Sequence, residues 1–138
     1  MTVLGIGTDL CECQRIERMI DKYHETFLDR VFTAEEIRYC GSHHLAAMHF
    51  AGRWAAKEAM LKAIGVGWAH GMTWRDLEVI NVGGGQPIAQ LHGGAHLACR
   101  QRGIGQVLLS ISHTREMAMA TAIAIAGGTG DSIVANSD

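Results

Sequence analysis

Asp9, Glu58, Lys62 and His113 are the residues whose types and surroundings could do chemistry. In "RWAAKEAMLKA", residues 53–63, a helical projection at about 100° per residue puts Glu58 on one arc with Phe50, Ala51, Trp54, Ala55 and Leu61. Arg53, Lys57 and Met60 fall outside that arc, and Lys62 borders its edge. A carboxylate among apolar neighbours is costly unless it is paired, protonated or bound to a cation. Asp9 closes the strand-like "VLGIGTDL" and His113 closes "QVLLSISHT". Two carboxylates suit a hard cation such as Mg²⁺, which takes one or two protein carboxylates and fills its other positions with water and phosphate oxygens. Arg53, Lys57 and Lys62 add positive charge that suits a phosphorylated ligand, so the set points to metal-assisted phosphoryl chemistry. Plainer roles exist for each: a Glu58–Lys62 surface pair, Asp9 as a cap or turn residue, His113 serving a hairpin turn, and Arg53 and Lys57 forming the wet face of the helix.

Something has to position these groups. Residues 3–10 read as a strand whose glycines let another segment approach the backbone closely, with Asp9 at its end. Ile16, Met19, Ile20, Tyr23 and Phe27 recur at helical steps, so a helix follows. In "FTAEEIRYC", Thr33 with Glu36 three residues later is the signature of a capped helix start. The helix carrying Glu58 spans 49–64 and ends at Gly65. "LEVINV", "GGGQP" and "IAQLH" read as strand, turn and strand; "GGAHLACRQRG" reads as a helix stopped by Gly103. Residues 106–114 alternate, with Val107, Leu109, Ile111 and His113 on one face. The last strand, "MAMATAIAIA", carries alanine at every even position from 118 to 126, a face that can accept a helix or another subunit packed very close. The fold class is therefore α+β, with a mainly antiparallel sheet around a long helix. Residues 1–126 form one domain, and the glycine-rich 127–138 is expected to be a flexible tail.

A chain of 138 residues with 48% hydrophobic content and a formal charge of -2 is ordinary for a globular domain. With a pI near 6.4, a general affinity for nucleic acid is not expected. No segment approaches about 18 uninterrupted apolar residues, no basic-then-apolar leader opens the sequence, and Cys11, Cys13, Cys40 and Cys99 lack a metal or redox spacing. A cytoplasmic protein with free, packing thiols and no membrane association is expected. "GIG" lacks the third glycine of a dinucleotide fingerprint.

"GIGTDLCECQRIERM", "FTAEEIRYC", "FAGRWAAKEAMLKAIGVG" and "SISHTREMAMATAIA", in this order, closely resemble the holo-acyl-carrier-protein synthases, the small 4′-phosphopantetheinyl transferases, from Val3 to Ala126. The resemblance implies transfer of the phosphopantetheine arm of coenzyme A to a serine of apo acyl carrier protein, with release of adenosine 3′,5′-bisphosphate, in fatty acid biosynthesis. It implies that Asp9 and Glu58 are the Mg²⁺ ligands, and that Lys62 lies near the reacting phosphates. His113 and Thr114 would line the coenzyme site, Arg53 would lie near the nucleotide's phosphate end, and Arg15 would contact the acidic carrier. Glu58 is expected to act as base as well as ligand. The family's trimer, with active sites between subunits, is expected too. Two stretches depart from the family pattern. His43 and His44 stand where basic residues are common, which makes the nucleotide's phosphate contact pH-dependent, and "GGGQP" replaces N-G-K-P. Other readings are a transferase acting on polyketide or peptide carriers, or a coenzyme A binding module without catalysis, which would not need both carboxylates.

Overall fold

The computed structural model describes residues 1–83 and 85–128; positions 129–138, most of the expected tail, lie outside the described residues. The elements are β1 (Val3–Glu12), α1 (Cys13–Val31), α2 (Ala34–Gly41), α3 (Ala46–Ile64), a 3₁₀ turn (Trp74–Asp76), β2 (Leu77–Val82), β3 (Gln86–Leu91), α4 (Gly93–Gln101), β4 (Ile104–His113) and β5 (Met117–Ala126). β1, β5 and β4 form one sheet in that order and β2 with β3 a second; every pairing is antiparallel. Among the described residues no helix is long and apolar enough to cross a membrane.

Register fixes what each face presents. Gly7, Ala122 and Leu109 lie side by side across the sheet, then Asp9, Ala120 and Ile111, then Cys11, Ala118 and His113. On this inner face the alanines from 118 to 124 are all but fully buried, and what covers them is α3. The choice left open by the alanine pattern is thus resolved in favour of a helix. β1 contributes no side chain at two points of that contact. A Cβ on Gly5 would sit 2.0 Å from the Ala63 carbonyl oxygen, and one on Gly7 2.0 Å from that of Ala59, so helix backbone rests directly on strand backbone.

Two expectations about α3 need correction. It does not have a wet face at Arg53 and Lys57, since Arg53 is 4% exposed and Lys57 fully buried. Nor does Glu58 lie on the most deeply buried side, because Trp54, Glu58 and Leu61 are only half-buried and Lys62 is exposed. The projection failed because α3 is enclosed by the sheet, α1, α2 and β2. A helix surrounded by neighbours loses the single apolar stripe on which such projections depend. Asp9 is also not terminal: β1 continues to Glu12, and Asp9 pairs with Ala120 inside the ladder, which removes its reading as a cap or turn residue.

The buried charges form a network. Lys57 Nζ donates to Glu36 Oε1 at 2.8 Å and to the carbonyls of Trp74 and Leu77 at 3.1 and 2.8 Å. Glu36 Oε1 also accepts from Thr33 N and Oε2 from Val79 N, and Thr33 Oγ1 accepts from Glu36 N at 3.2 Å. The expected capping box is therefore present, and its glutamate joins α2 to α3 and β2. Burial pushes the Lys57 amine down, opposed by Glu36. All four cysteines are free and buried, and burial pushes the Cys40 and Cys99 thiols up to about 12, which keeps them unreactive.

Candidate active site

Asp9, Glu58 and Lys62 meet at the open edge between β1 and α3. Lys62 Nζ lies 3.3 Å from Asp9 Oδ1 and donates to the Thr8 carbonyl at 2.9 Å. Burial pushes the Glu58 carboxyl up and the Asp9 carboxylate pushes it further, while Lys62 and Arg15 act in the opposite direction. A carboxyl made costlier to ionise by burial and by a second carboxylate beside it is a donor that a hard cation would relieve. Among the described residues no cluster holds three or more potential metal-ligating side chains. A cation held by this pair would keep coordination positions for phosphate oxygens, the usual arrangement for Mg²⁺. The residues therefore fit the ion that the sequence motifs imply.

Arg53, His113 and Thr114 do not join this group within one chain. α3 crosses the sheet diagonally, with Gly52 beside Ile111 and His113, Ala59 over Gly7 and Ala63 over Gly5. Its body stands between the two sets, and Asp9 is separated from Ile111, the β4 residue in its row, by two strand spacings, about 10 Å. Arg53 lies against β2, where its guanidinium donates to Asn81 Oδ1 and stacks 4.2 Å over the Tyr39 ring; its buried Nε has no partner. Thr114 ties the β4–β5 hairpin, its Oγ1 accepting from Met117 N at 3.1 Å.

Around Arg53 runs a row of rings that sequence reasoning did not assemble: His43 lies 4.0 Å from His49 and His49 lies 5.2 Å from His113, centroid to centroid. Burial, then His43, His113 and Arg53, hold His49 down to about 4. His43 thus joins a row of imidazoles beside Arg53, whereas His44 lines a separate cavity of about 750 Å³ with Glu17, Asp21 and Arg115. Neither Asp9 nor Glu58 borders that cavity. Also missed was the environment of Trp54, one helical turn before Glu58. Its ring stacks on Trp74 at 4.8 Å, and Arg15 lies 5.8 Å above it. Arg15, expected at a docking surface, is exposed and borders the carboxylate pair.

Comparison with known proteins places this geometry in context. A sequence model described as the 4′-phosphopantetheinyl transferase superfamily matches residues 5–122. The holo-[acyl-carrier-protein] synthase of Solibacter usitatus is 42% identical over 88% of this chain and 97% of its own length. That of Gloeobacter violaceus is 46% identical over 84% of this chain and 88% of its own. Among solved structures, the holo-[acyl-carrier-protein] synthase of Neisseria meningitidis superposes with a TM-score of 0.82 at 29% identity, covering 90% of this chain and 99% of that one. The Bacillus anthracis enzyme, in complex with CoA (3′,5′-ADP), superposes at 0.74 with 33% identity, covering 92% and 100%.

Proposed function

The chain belongs to the 4′-phosphopantetheinyl transferase superfamily, and from that premise we propose that it transfers the 4′-phosphopantetheine group of coenzyme A to a serine of apo acyl carrier protein. The observation that carries the reading is the meeting of Asp9, Glu58 and Lys62 at one open edge, with Asp9 helping to raise the Glu58 carboxyl. A module that only bound coenzyme A would need the cationic groups but not the paired carboxylates. Fatty acid synthesis in the cytoplasm, where the buried thiols stay reduced, is the setting that fits these relatives.

In the reaction the serine oxygen bonds to the phosphorus bearing the pantetheine arm, and the bond to the leaving adenosine 3′,5′-bisphosphate breaks. Glu58, at the open edge beside Asp9 and Lys62, is placed to take the serine proton. Lys62 is placed to donate to a phosphate oxygen, and its contact with Asp9 keeps it over the site. Asp9 and Glu58 would hold Mg²⁺, which when bound supplies charge neutralisation on the pyrophosphate. Arg53, His113 and Thr114 serve the nucleotide end. The direct test is to incubate the protein with apo carrier, coenzyme A and Mg²⁺, with and without EDTA, and to weigh the carrier. A phosphopantetheine gain that EDTA abolishes is expected; a folded, unmodified carrier in the presence of Mg²⁺ refutes the reading.

The two groups on either side of α3 come together if sites form between copies. The outer face of the three-stranded sheet carries exposed Ile6, Leu10, Leu108 and Met119, an apolar surface suited to self-association, and a trimer is the assembly proposed. Sedimentation equilibrium paired with activity at the same dilutions should show turnover lost as the oligomer dissociates. A fully active monomer would exclude shared sites.

A further inference from the structure

All three tryptophans of the chain, Trp54, Trp68 and Trp74, lie in one stack. Trp74 stacks on Trp54 and takes Trp68 edge-on at 4.5 Å, and Phe27 closes the inner end. The inner tryptophan borders Glu58, while the outer one, Trp68, is 49% exposed. The loop presenting Trp68 has defined geometry. Ala69 N donates to Gly67 O and Met72 N to Ala69 O, Gly94 permits the backbone at His70 to approach α4 closely, and Thr73 with Asp76 forms a capping box under Trp74. A large ring held outward on a fixed loop is preorganised for contact, which lowers the entropic cost of binding.

The adjoining face of α1 is charged. Arg15, Arg18 and Lys22 follow one another at three- and four-residue spacing on α1 with Met19 between them, one stripe of the helix. Its first member lies over Trp54. Glu17 and Asp21 face the other way, into the cavity beside α1. Glu58 thus lies one helical turn from Trp54, where the cationic stripe meets the aromatic stack. A macromolecule that brings a serine to Glu58 meets this junction of charge and aromatic surface. A partner for this surface needs both acidic side chains and an apolar patch beside its acceptor serine.

Resting on the transferase reading, we propose that Trp68, braced by Trp74 and Trp54, is the apolar anchor for the carrier protein, beside the charged grip of Arg15, Arg18 and Lys22. Tryptophan and arginine are the residue types that most often dominate binding energy at such contacts. Trp68 touches no reacting atom, so it sets which carrier is accepted and leaves the chemical step alone.

Because the stack holds every tryptophan, intrinsic fluorescence reports on this surface alone when the apo carrier itself lacks tryptophan. Adding such a carrier to the wild type without coenzyme A should change the emission. Trp68→Ala should raise KM for the carrier by about tenfold or more, leave KM for coenzyme A unchanged, and leave the salt dependence of carrier binding intact; Trp68→Phe should recover part of the loss. An unchanged carrier KM in Trp68→Ala, or unaltered emission while light scattering shows the carrier bound, would overturn the proposal. So would a Trp68→Ala protein that sediments as a smaller species, since Trp68 would then serve a contact between copies. Failure of the wild type to modify any carrier would instead remove the transferase reading beneath it.

Discussion

Glu58→Gln should lower kcat by about 10²–10⁴-fold while leaving the fold as stable as the wild type or more so. The glutamine keeps the shape and the half-buried position but can neither accept the serine proton nor complete a two-carboxylate cation site. The stability effect follows from the sign of the perturbation. Burial and Asp9 raise the Glu58 carboxyl in the folded state, so ionisation at neutral pH costs more in the native protein than in the unfolded chain. That cost is present once pH exceeds the unfolded value and is removed by an uncharged side chain. The measurement is kcat at saturating Mg²⁺ together with thermal melts. Mg²⁺ should raise the melting temperature of the wild type through binding to the native state and raise that of the variant much less. Full turnover in Glu58→Gln would eliminate both proposed roles at once.

Lys57→Met, by contrast, should damage stability. It removes the ammonium from a fully buried pair and strands the Glu36 carboxylate in the interior together with the Trp74 and Leu77 carbonyls that Lys57 serves. Breaking such a pair from one side costs about 3–5 kcal/mol, and for a chain of this size the melting temperature should fall by on the order of 10 °C. Pairing Lys57→Met with Glu36→Leu should recover part of that loss, since replacing both members of a buried pair with apolar groups is often close to neutral. Melts of the two proteins decide it: a single variant as stable as the wild type would mean that the network contributes nothing.

The contrast between Glu58 and Lys57 marks what the sequence can disclose. Asp9 and Glu58 stand out because a carboxylate near glycine, alanine and tryptophan raises a question about compensation wherever the chain places it. The elements were legible for similar local reasons: Thr33 and Glu36 signal their capping box within four residues, and Val107 to His113 alternate as a half-buried strand must. Lys57 was misread because its compensation comes from Glu36, Trp74 and Leu77, which lie 17 to 21 residues away on either side. A projection of one helix contains none of them. The tryptophan stack and the histidine row were hidden for the same reason, each being assembled from separate segments. Even the alanine face, plain in the sequence, could not name its occupant until Gly5 and Gly7 were seen beneath Ala63 and Ala59.

That contact bears on how freely such a sequence can drift. Most active sites inherit their dimensions from packed side chains, so each core substitution moves the catalytic groups a little. Here α3 meets β1 through peptide groups, and the interval between Asp9 and Glu58 is a property of the main chain. Gly5 and Gly7 are therefore intolerant positions, where a single added methyl group would lift the helix and part the carboxylates.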